Sequence, residues 1–230
     1  MHRRPASLGV PRRAARRGVS PALARAGAPP PPRGRGRPID DLPLFPLNTV
    51  LFPGGRLPLR VFEQRYMRMA KTCLKEGSAF GVCLIQEGSE VGNPAVPAAV
   101  GTLARIADWD MPQLGLLQII ARGEQRFRVL ERRVEHDGLA RAKVEAIADD
   151  QDFPVPPASA RCARLLERLL NEAPGALAGP QQLDSSWWVG MRLAELLPLP
   201  MESKQELLEM TDARARLERL HSLLSRAQGV

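Results

Sequence analysis

Four prolines interrupt the apolar segment DLPLFPLNTVLFPGGRLPLRVFEQRY, residues 41–66, and they restrict its fold more than any other feature of the chain. They are Pro43, Pro46, Pro53 and Pro58. Each proline fixes φ and removes a backbone donor, which excludes this segment from helix interiors and from central strands. We therefore expect short extended pieces along a sheet edge, with a turn at Gly54-Gly55.

The net charge of +8 is concentrated at the start of the chain. Residues 1–38 contain ten of the 33 basic residues and no acidic residue, which leaves 23 basic against 25 acidic side chains in the remainder. The body is thus slightly acidic, and its charge does not favour a surface that attracts phosphates. The first 38 residues are rich in Arg, Pro, Ala and Gly without apolar periodicity, so we expect a disordered basic tail.

Three explanations of this tail remain open: a translation start placed too far upstream, a solvated extension, or an arm for targeting or nucleic-acid binding. Its prolines and glycines do not suit an amphipathic transit helix, and it lacks the apolar core of a secretory signal. No stretch of the sequence approaches the ~18 apolar residues of a membrane span. We therefore expect a cytoplasmic protein with no membrane partner.

From Glu63 onward the apolar residues follow the period of a helix. They stand at i, i+3, i+4, i+7 and i+8: Tyr66, Met69, Ala70, Cys73 and Leu74. Gly77 comes directly after this stripe and is a typical helix terminator. The spacing predicts one amphipathic helix that packs on a core.

Runs of strand length follow, separated by turn residues, at 79–88, 100–110, 114–123, 124–134 and 138–149. Antiparallel meanders of this kind commonly close into a barrel, which removes open edges. In the run 124–134, Arg126 and Arg128 share one face by the period of two. Glutamates are interspersed with these arginines, so we expect a solvated face and not a phosphate track.

The strand signals end at the proline-rich segment DFPVPP, residues 152–157, and everything beyond it reads as helical. A first helix is expected up to Pro174-Gly175, and a second from about Trp187 to Leu197 with Ser185 or Ser186 as its cap. Ser203 and Glu206 have capping-box spacing for a third. A fourth stripe runs almost to the C-terminus.

Short motifs along the chain carry a family resemblance. They are L-F-P-L at 44–47, L-F-P-G at 51–54, L-P-L at 57–59, F-E-x-R-Y at 62–66, F-G-V-x-L-I at 80–85, V-G-T at 100–102, G-x-x-R-F-R at 123–128 and L-A-E-L-L-P-L-P at 193–200. Their order resembles the N-terminal, substrate-binding domain of Lon-type proteases over about residues 41–227. One departure is Gln113-Leu114-Gly115, where the family often has Asp-Gly in the hairpin turn.

The resemblance implies an α+β fold: a PUA-like β pseudo-barrel with one packed helix, followed by a C-terminal four-helix subdomain. We expect the tail at 1–38, the barrel at 39–151 and the helical subdomain at 152–230. The resemblance further implies a module that holds an unfolded or extended polypeptide, or a protein partner. The sequence contains no G-x-x-x-x-G-K-[ST] phosphate loop and no segment resembling the Ser/Lys peptidase module, so we expect a free-standing, non-enzymatic domain that needs no cofactor or metal.

A shallow apolar groove beside the proline-rich strands is the expected binding surface. Its candidate residues are Leu57, Leu59, Arg60, Glu63, Arg65 and Tyr66. For Glu63 and Arg65 two interpretations stay open, because these charges either attach the helix to the barrel or line the groove.

RNA binding is the alternative function, because PUA-like barrels elsewhere bind RNA and the tail is basic. The acidic body and the aromatic content of 4% disfavour a nucleic-acid partner, since they leave no evident stacking platform.

Overall fold

The computed structural model describes residues 38–173 and 179–227 of the chain. Within these ranges the strands are β1 (Ile39–Leu47), β2 (Arg56–Val61), β3 (Phe80–Glu87), β4 (Val96–Pro97), β5 (Val100–Gln113), β6 (Leu116–Val134) and β7 (Ala140–Ala146). The α-helices are α1 (Gln64–Glu76), α2 (Ala160–Glu172), α3 (Ser186–Leu196), α4 (Met201–Glu209) and α5 (Ala213–Ala227). The mixed sheet followed by helices matches the expected α+β fold.

Five strands close into a barrel in the order β1, β7, β6, β5 and β3, because β1 pairs with both β7 and β3. β1 runs antiparallel to β7 up to Pro43 and parallel to β3 from Leu44 onward. The expectation of an edge strand was therefore wrong for this piece. Its prolines are tolerated because the strand changes partner midway, so each half leaves one side free of ladder bonds.

The expectation of an edge is confirmed for β2, which lies outside the barrel path and pairs, among the described strands, only with β6. Arg56 to Val61 of β2 run antiparallel to Leu117 to Arg122 of β6. The turn before β2 is made at Gly54, whose φ of 79° suits a glycine. The outer edge of this six-residue strand is therefore not covered by another described strand.

β6 is a single strand of 19 residues, although the sequence predicted two strands with a break at Gly123. Gly123 does not turn the chain. A Cβ atom at this position would lie 2.4 Å from the Phe52 carbonyl oxygen, and the Gly123 N–H donates to the Gly55 carbonyl at 2.9 Å. The glycine marks a close approach of two backbones inside a continuous strand.

α1 packs its apolar face on the barrel, as its sequence predicts, and ends at Gly77 with a left-handed φ of 62°. Its buried side chains include Tyr66, Met69 and Cys73. They join a core with residues of β1, β2, β3, β5 and β6. The helix therefore closes one side of the barrel core.

The C-terminal helices build a second core that reaches the barrel through Phe52 and Val100. Ser185 caps α3 as predicted, because its Oγ accepts a hydrogen bond from the Trp188 N–H at 2.9 Å. Ser203 does not cap α4. That helix already begins at Met201 after Pro200, so Ser203 lies inside it and the capping-box prediction was wrong.

Arg126 contradicts the expectation of a solvated face, since its side chain is 0% exposed. Both faces of β6 are covered at this point. Phe127 faces the barrel interior, while Arg126 points into the helical subdomain and donates to the carbonyls of Leu208 and Met210. The alternation of side chains between the two faces of the strand was predicted correctly. The sequence of the strand gave no indication that the helical subdomain would cover its outer face.

Residues 1–37, 174–178 and 228–230 lie outside the described residues, and with them nearly all of the predicted tail and the Pro174-Gly175 stop. Within the described ranges, α2 ends at Glu172. No helix among the described residues has the length and apolar content to cross a membrane.

Candidate functional site

Three strands lie side by side next to the open edge, in the order β2, β6 and β5, and their register places cross-strand neighbours in rows. One row joins Leu59, Ile119 and Trp109. The rows on either side of it are Pro58, Ile120 and Asp108, and Arg60, Gln118 and Asp110. This region is the three-strand sheet, and it is the place where the fold leaves both a strand edge and a concave surface accessible.

The three rows line a groove with a volume of about 490 Å³. Its lining residues come from all three strands and include the charged Arg60, Asp108 and Asp110. Pro58 and Ile120 share the face of these charges, whereas Leu59 and Ile119 pack on the barrel core. Asp108 is held locally, because its Oδ1 accepts from the Trp109 N–H at 2.8 Å. An apolar surface with a few polar groups is the usual character of a binding site in proteins.

Large apolar side chains are exposed on and around this groove. Trp109 is 55% exposed, and Leu114 at the tip of the β5–β6 hairpin is 97% exposed. Met111 in the same hairpin and Phe62, directly after β2, are also exposed. Single exposed apolar residues are common, whereas several of them near one groove indicate an interaction surface.

The open edge of β2 begins after Arg56. The backbone of Arg56 hydrogen-bonds to the Glu195 carboxylate of α3, so the helical subdomain occupies the start of the edge. Pro58 has no N–H, and the donor positions facing away from β6 therefore resume at Arg60. Pro58 and Arg60 are exposed. A short stretch of edge from Pro58 onward is thus free to pair.

The candidate residues from the sequence fall into two groups. Leu59 and Arg60 line the groove, and Leu57 lies two residues away on the same strand, half-buried against the barrel core. Glu63 and Arg65 pair with each other at 2.9 Å, and Arg65 also donates to the Gly138 carbonyl at 3.1 Å. The second pair therefore attaches the start of α1 to the β6–β7 turn.

Tyr66 is buried and stacks on Phe45, with 4.1 Å between the ring centroids. The Arg65 guanidinium lies 4.7 Å from the Tyr66 ring centroid. Burial raises the pKa of the Tyr66 hydroxyl, and the nearby Arg65 only partly opposes that rise. Tyr66 belongs to the core beneath α1.

Sequence reasoning missed the contribution of β5 and β6 to this surface. The missed residues are Asp108, Trp109, Asp110, Gln118, Ile119 and Ile120. A signal was present for one of them, because the tripeptide Asp108-Trp109-Asp110 places a large aromatic between two carboxylates, which does not suit a closed core. The pairing of β2 with this part of β6 is a long-range contact that no local pattern indicates.

The described residues contain no group of three or more His, Cys, Asp or Glu side chains placed to hold a metal ion. The cysteines are buried, and burial raises the pKa of Cys83 to about 12 and that of Cys162 to about 11. Such thiols stay protonated and are poor nucleophiles.

Residues 41–226 match the model of the ATP-dependent protease La (LON) substrate-binding domain. The fold also resembles the crystal structure of a Lon N-terminal domain protein from Xanthomonas campestris, with a TM-score of 0.68 and 43% identity over 80% of this chain and 98% of that one. The chain belongs to the Lon substrate-binding domain family, as its sequence motifs predicted.

Other relatives are more distant. A Lon protease of Anaeromyxobacter dehalogenans is 29% identical over 82% of this chain, which corresponds to 23% of that protein. The N-terminal domain of a Mycobacterium avium complex Lon protease shares the fold, with a TM-score of 0.57 and 17% identity over 81% of this chain and 98% of that one. The chain spans about a quarter of the length of the full Lon proteases it matches.

Proposed function

We propose that the chain is a non-catalytic module that binds extended polypeptide segments at the three-strand sheet. The observation that carries this proposal is the coincidence of the free β2 edge with an apolar groove around the exposed Trp109. A strand edge offers main-chain hydrogen bonds to any sequence, and the groove accepts side chains. The family of the chain, a substrate-binding domain of a protease, is consistent with this ligand class.

The size of the site predicts weak and tolerant binding. Apolar burial contributes roughly 25 cal/mol per Å² before the cost of ordering the ligand is subtracted. A groove of about 490 Å³ accepts only a few side chains at a time. We therefore expect affinities in the micromolar range for a single segment, with little dependence on its exact sequence.

A fluorescence anisotropy titration with a labelled, chemically unfolded protein whose cysteines are blocked tests this function. Truncation of Trp109 to Ala is expected to weaken binding about tenfold, because aromatic side chains at the centre of an interface commonly carry much of its affinity. No binding by the folded wild-type protein at high micromolar concentration would contradict the proposal.

Val91→Ser is a matched control, since Val91 is also 55% exposed but lies outside the residues that line the groove. This variant is expected to bind the unfolded protein as the wild type does. Equal losses in the two variants would assign the effect to general surface hydrophobicity and count against the groove.

We further propose that the protein acts in the cytoplasm and that RNA is not its ligand. The sheet displays Trp109 as its one large aromatic among the groove-lining residues, which is less than a stacking platform for successive bases requires. A variant that lacks residues 1–38 decides between the two ligands. RNA affinity that survives this deletion with a steep salt dependence would favour the RNA alternative.

A further inference from the structure

Three arginines stand in one row across the three-strand sheet. Arg122 of β6 is paired with Arg56 of β2 on one side and with Arg105 of β5 on the other. Residues directly opposite each other on neighbouring strands share a face, and like charges in this arrangement repel. A row of three arginines therefore needs negative charge from elsewhere.

The described part of the chain supplies that charge to one member of the row. Arg105 pairs with Glu124 at 2.9 Å and donates to the Gly77 carbonyl. Neither Arg56 nor Arg122 has an acidic partner among the described residues, and both side chains are exposed. The side chains of these two arginines, one on β2 and one on β6, thus make no ion pair.

Arg60 adds a further positive charge on the same face. Its position follows from the period of two along β2, whose residues alternate between exposed and half-buried. Arg60 is exposed and has no acidic partner in the described ranges. Leu57 and Leu59 point to the opposite face, where they pack on the barrel core. The edge strand therefore presents two arginines four residues apart, with two leucines between them on the other face.

The acidic residues of the groove lie too far from this edge to determine which charges a bound ligand prefers there. Asp108 and Asp110 lie on β5, two strands away from β2. Since neighbouring strands are about 4.8 Å apart, a strand added beyond β2 would lie about 5 Å from β2 and about 14 Å from β5. That larger distance exceeds the Debye length of about 8 Å at physiological ionic strength. From Pro58 onward, the charge of the edge is therefore set by the arginines, while the Glu195 carboxylate lies at its start beside the Arg56 backbone.

We propose that the site selects polypeptide segments in which acidic and apolar residues alternate in the order acidic, apolar, any, apolar, acidic. Such a segment pairs with the free main chain of β2 from Pro58 to Arg60, with one acidic side chain beside Arg60 and its apolar ones on the side of Leu57 and Leu59. Its other acidic residue extends past the end of the paired stretch toward the exposed Arg56 side chain. Because this order is the same in both directions, the segment can pair with β2 in either the parallel or the antiparallel orientation. This inference rests on the proposed function and names the ligand chemistry of that site.

Two other occupants fit the edge less well. A second copy of the chain paired through β2 would bring its own Arg56 and Arg60 against those of the first copy. A nucleic acid offers phosphates to the arginines but no peptide groups to the edge, whose free main-chain donors and acceptors match a polypeptide.

The test uses three labelled peptides that differ only in their central residues: Glu-Val-Thr-Val-Glu, Gln-Val-Thr-Val-Gln and Lys-Val-Thr-Val-Lys. Anisotropy titrations at low salt are expected to give a dissociation constant about tenfold lower for the glutamate peptide than for the lysine peptide, since exposed ion pairs contribute modestly. The difference is expected to shrink at 0.5 M salt, because the charges at the edge are screened.

Arg60→Glu is expected to remove the difference between the glutamate and lysine peptides, because the edge then carries one positive and one negative side chain. Arg168→Glu is the matched control, because Arg168 is an exposed arginine on α2, outside the three-strand sheet. It introduces the same change of net charge and is expected to leave the order unchanged. Circular dichroism of both variants verifies that the fold is intact.

Equal binding of the three peptides, or a preference that survives Arg60→Glu, would overturn the inference while the unfolded protein still binds and the proposed function stands. Failure of both the peptides and the unfolded protein to bind would overturn both proposals. Binding of a single-stranded RNA that Arg60→Glu abolishes, without binding of the glutamate peptide, would assign the arginines to phosphates and also overturn the inference.

Discussion

Arg126 of β6 and Asp150 form a buried ion pair between the barrel and the helical subdomain, with 2.5 Å between Arg126 Nη2 and Asp150 Oδ1. The other carboxylate oxygen of Asp150 lies 2.7 Å from Nη1 of Arg216 in α5. One carboxylate thus serves two arginines, and all three side chains are at most 1% exposed. Other guanidinium donors go to backbone carbonyls, including those of Leu207 and Leu208, whereas Nε of Arg126 is buried without a hydrogen-bond partner among the described residues.

Replacement of Asp150 by Asn is expected to lower the free energy of unfolding by about 3–5 kcal/mol, because it leaves two buried guanidinium groups without a counter-charge. Chemical denaturation monitored by tryptophan fluorescence measures this loss. Asp149→Asn is the control, since the Asp149 side chain is exposed, and its effect is expected to be small. Similar losses for the two variants would contradict the role assigned to Asp150.

The stability contribution of Glu195 is expected to decrease as the pH rises. Burial raises the pKa of the Glu195 carboxyl above its ordinary value of 4.5, although the adjacent Arg192 opposes the shift. Between 4.5 and the raised pKa, the folded protein keeps a proton that the unfolded chain has lost, so the free energy of unfolding falls with pH in this interval. The variant Glu195→Gln is expected to flatten that slope in denaturation curves measured across the interval.

Asp212→Asn provides a control of opposite sign for the pH measurement. The backbone N–H groups of Ala215 and Arg214 lower the pKa of the Asp212 carboxyl, so its contribution is present above its ordinary pKa of 3.8 and is lost as the pH falls through the lowered value. A slope for Glu195→Gln that is unchanged from the wild type would show that burial does not raise the pKa of Glu195.

The three cysteines are expected to resist thiol reagents as long as the protein is folded. Cys73, Cys83 and Cys162 are buried, and burial raises the pKa of each thiol, that of Cys83 to about 12. A chromogenic disulfide reagent at pH 8 is therefore expected to detect almost no thiol in the native protein and three per chain in denaturant, which matches the cysteine count. Rapid labelling of the native protein would contradict the burial of these side chains.

Gly123→Ala is expected to destabilise the barrel by about 3 kcal/mol or more, because its Cβ would lie 2.4 Å from the Phe52 carbonyl oxygen and backbone cannot yield easily. Gly77→Ala is the comparison. A Cβ at Gly77 meets nothing within 4 Å, so only its left-handed φ of 62° is unfavourable for Ala, at about 1 kcal/mol. Thermal denaturation of both variants measures the difference, and equal melting temperatures would contradict the close approach.

The sequence predicted the elements better than their partners. Periodicity located α1 and the C-terminal helices, and the prolines excluded a central position for β2. Local patterns could not reveal that β1 changes partner at Pro43, because its two partners come from distant parts of the chain. Gly123 was read as a turn, since a glycine needed for close approach and a glycine needed for turning look the same in a single sequence.

The candidate site was predicted only in part, because the sequence does not reveal which strands pair with each other. Leu59 and Arg60 were found from the strand they occupy, whereas Trp109 reaches the groove through pairing of β5 with β6. Glu63 and Arg65 were predicted from their position at a helix start, and in the structure they form an ion pair with each other. Whether Leu57, Leu59 and Arg60 contact a ligand stays a prediction for the binding experiments.

The arginines at the junction donate in both directions: Arg126 of the barrel to the Met210 carbonyl, and Arg192 of α3 to the Pro53 carbonyl. Each subdomain therefore completes the hydrogen bonding of the other. Cleavage of the chain in the linker after Ala146 would separate the two subdomains. Each fragment would then expose an arginine that is buried in the intact protein, and the Pro53 and Met210 carbonyls would lose their hydrogen-bond donors. Production of either half alone is expected to give insoluble material, and the practical unit for recombinant work extends from β1 through α5.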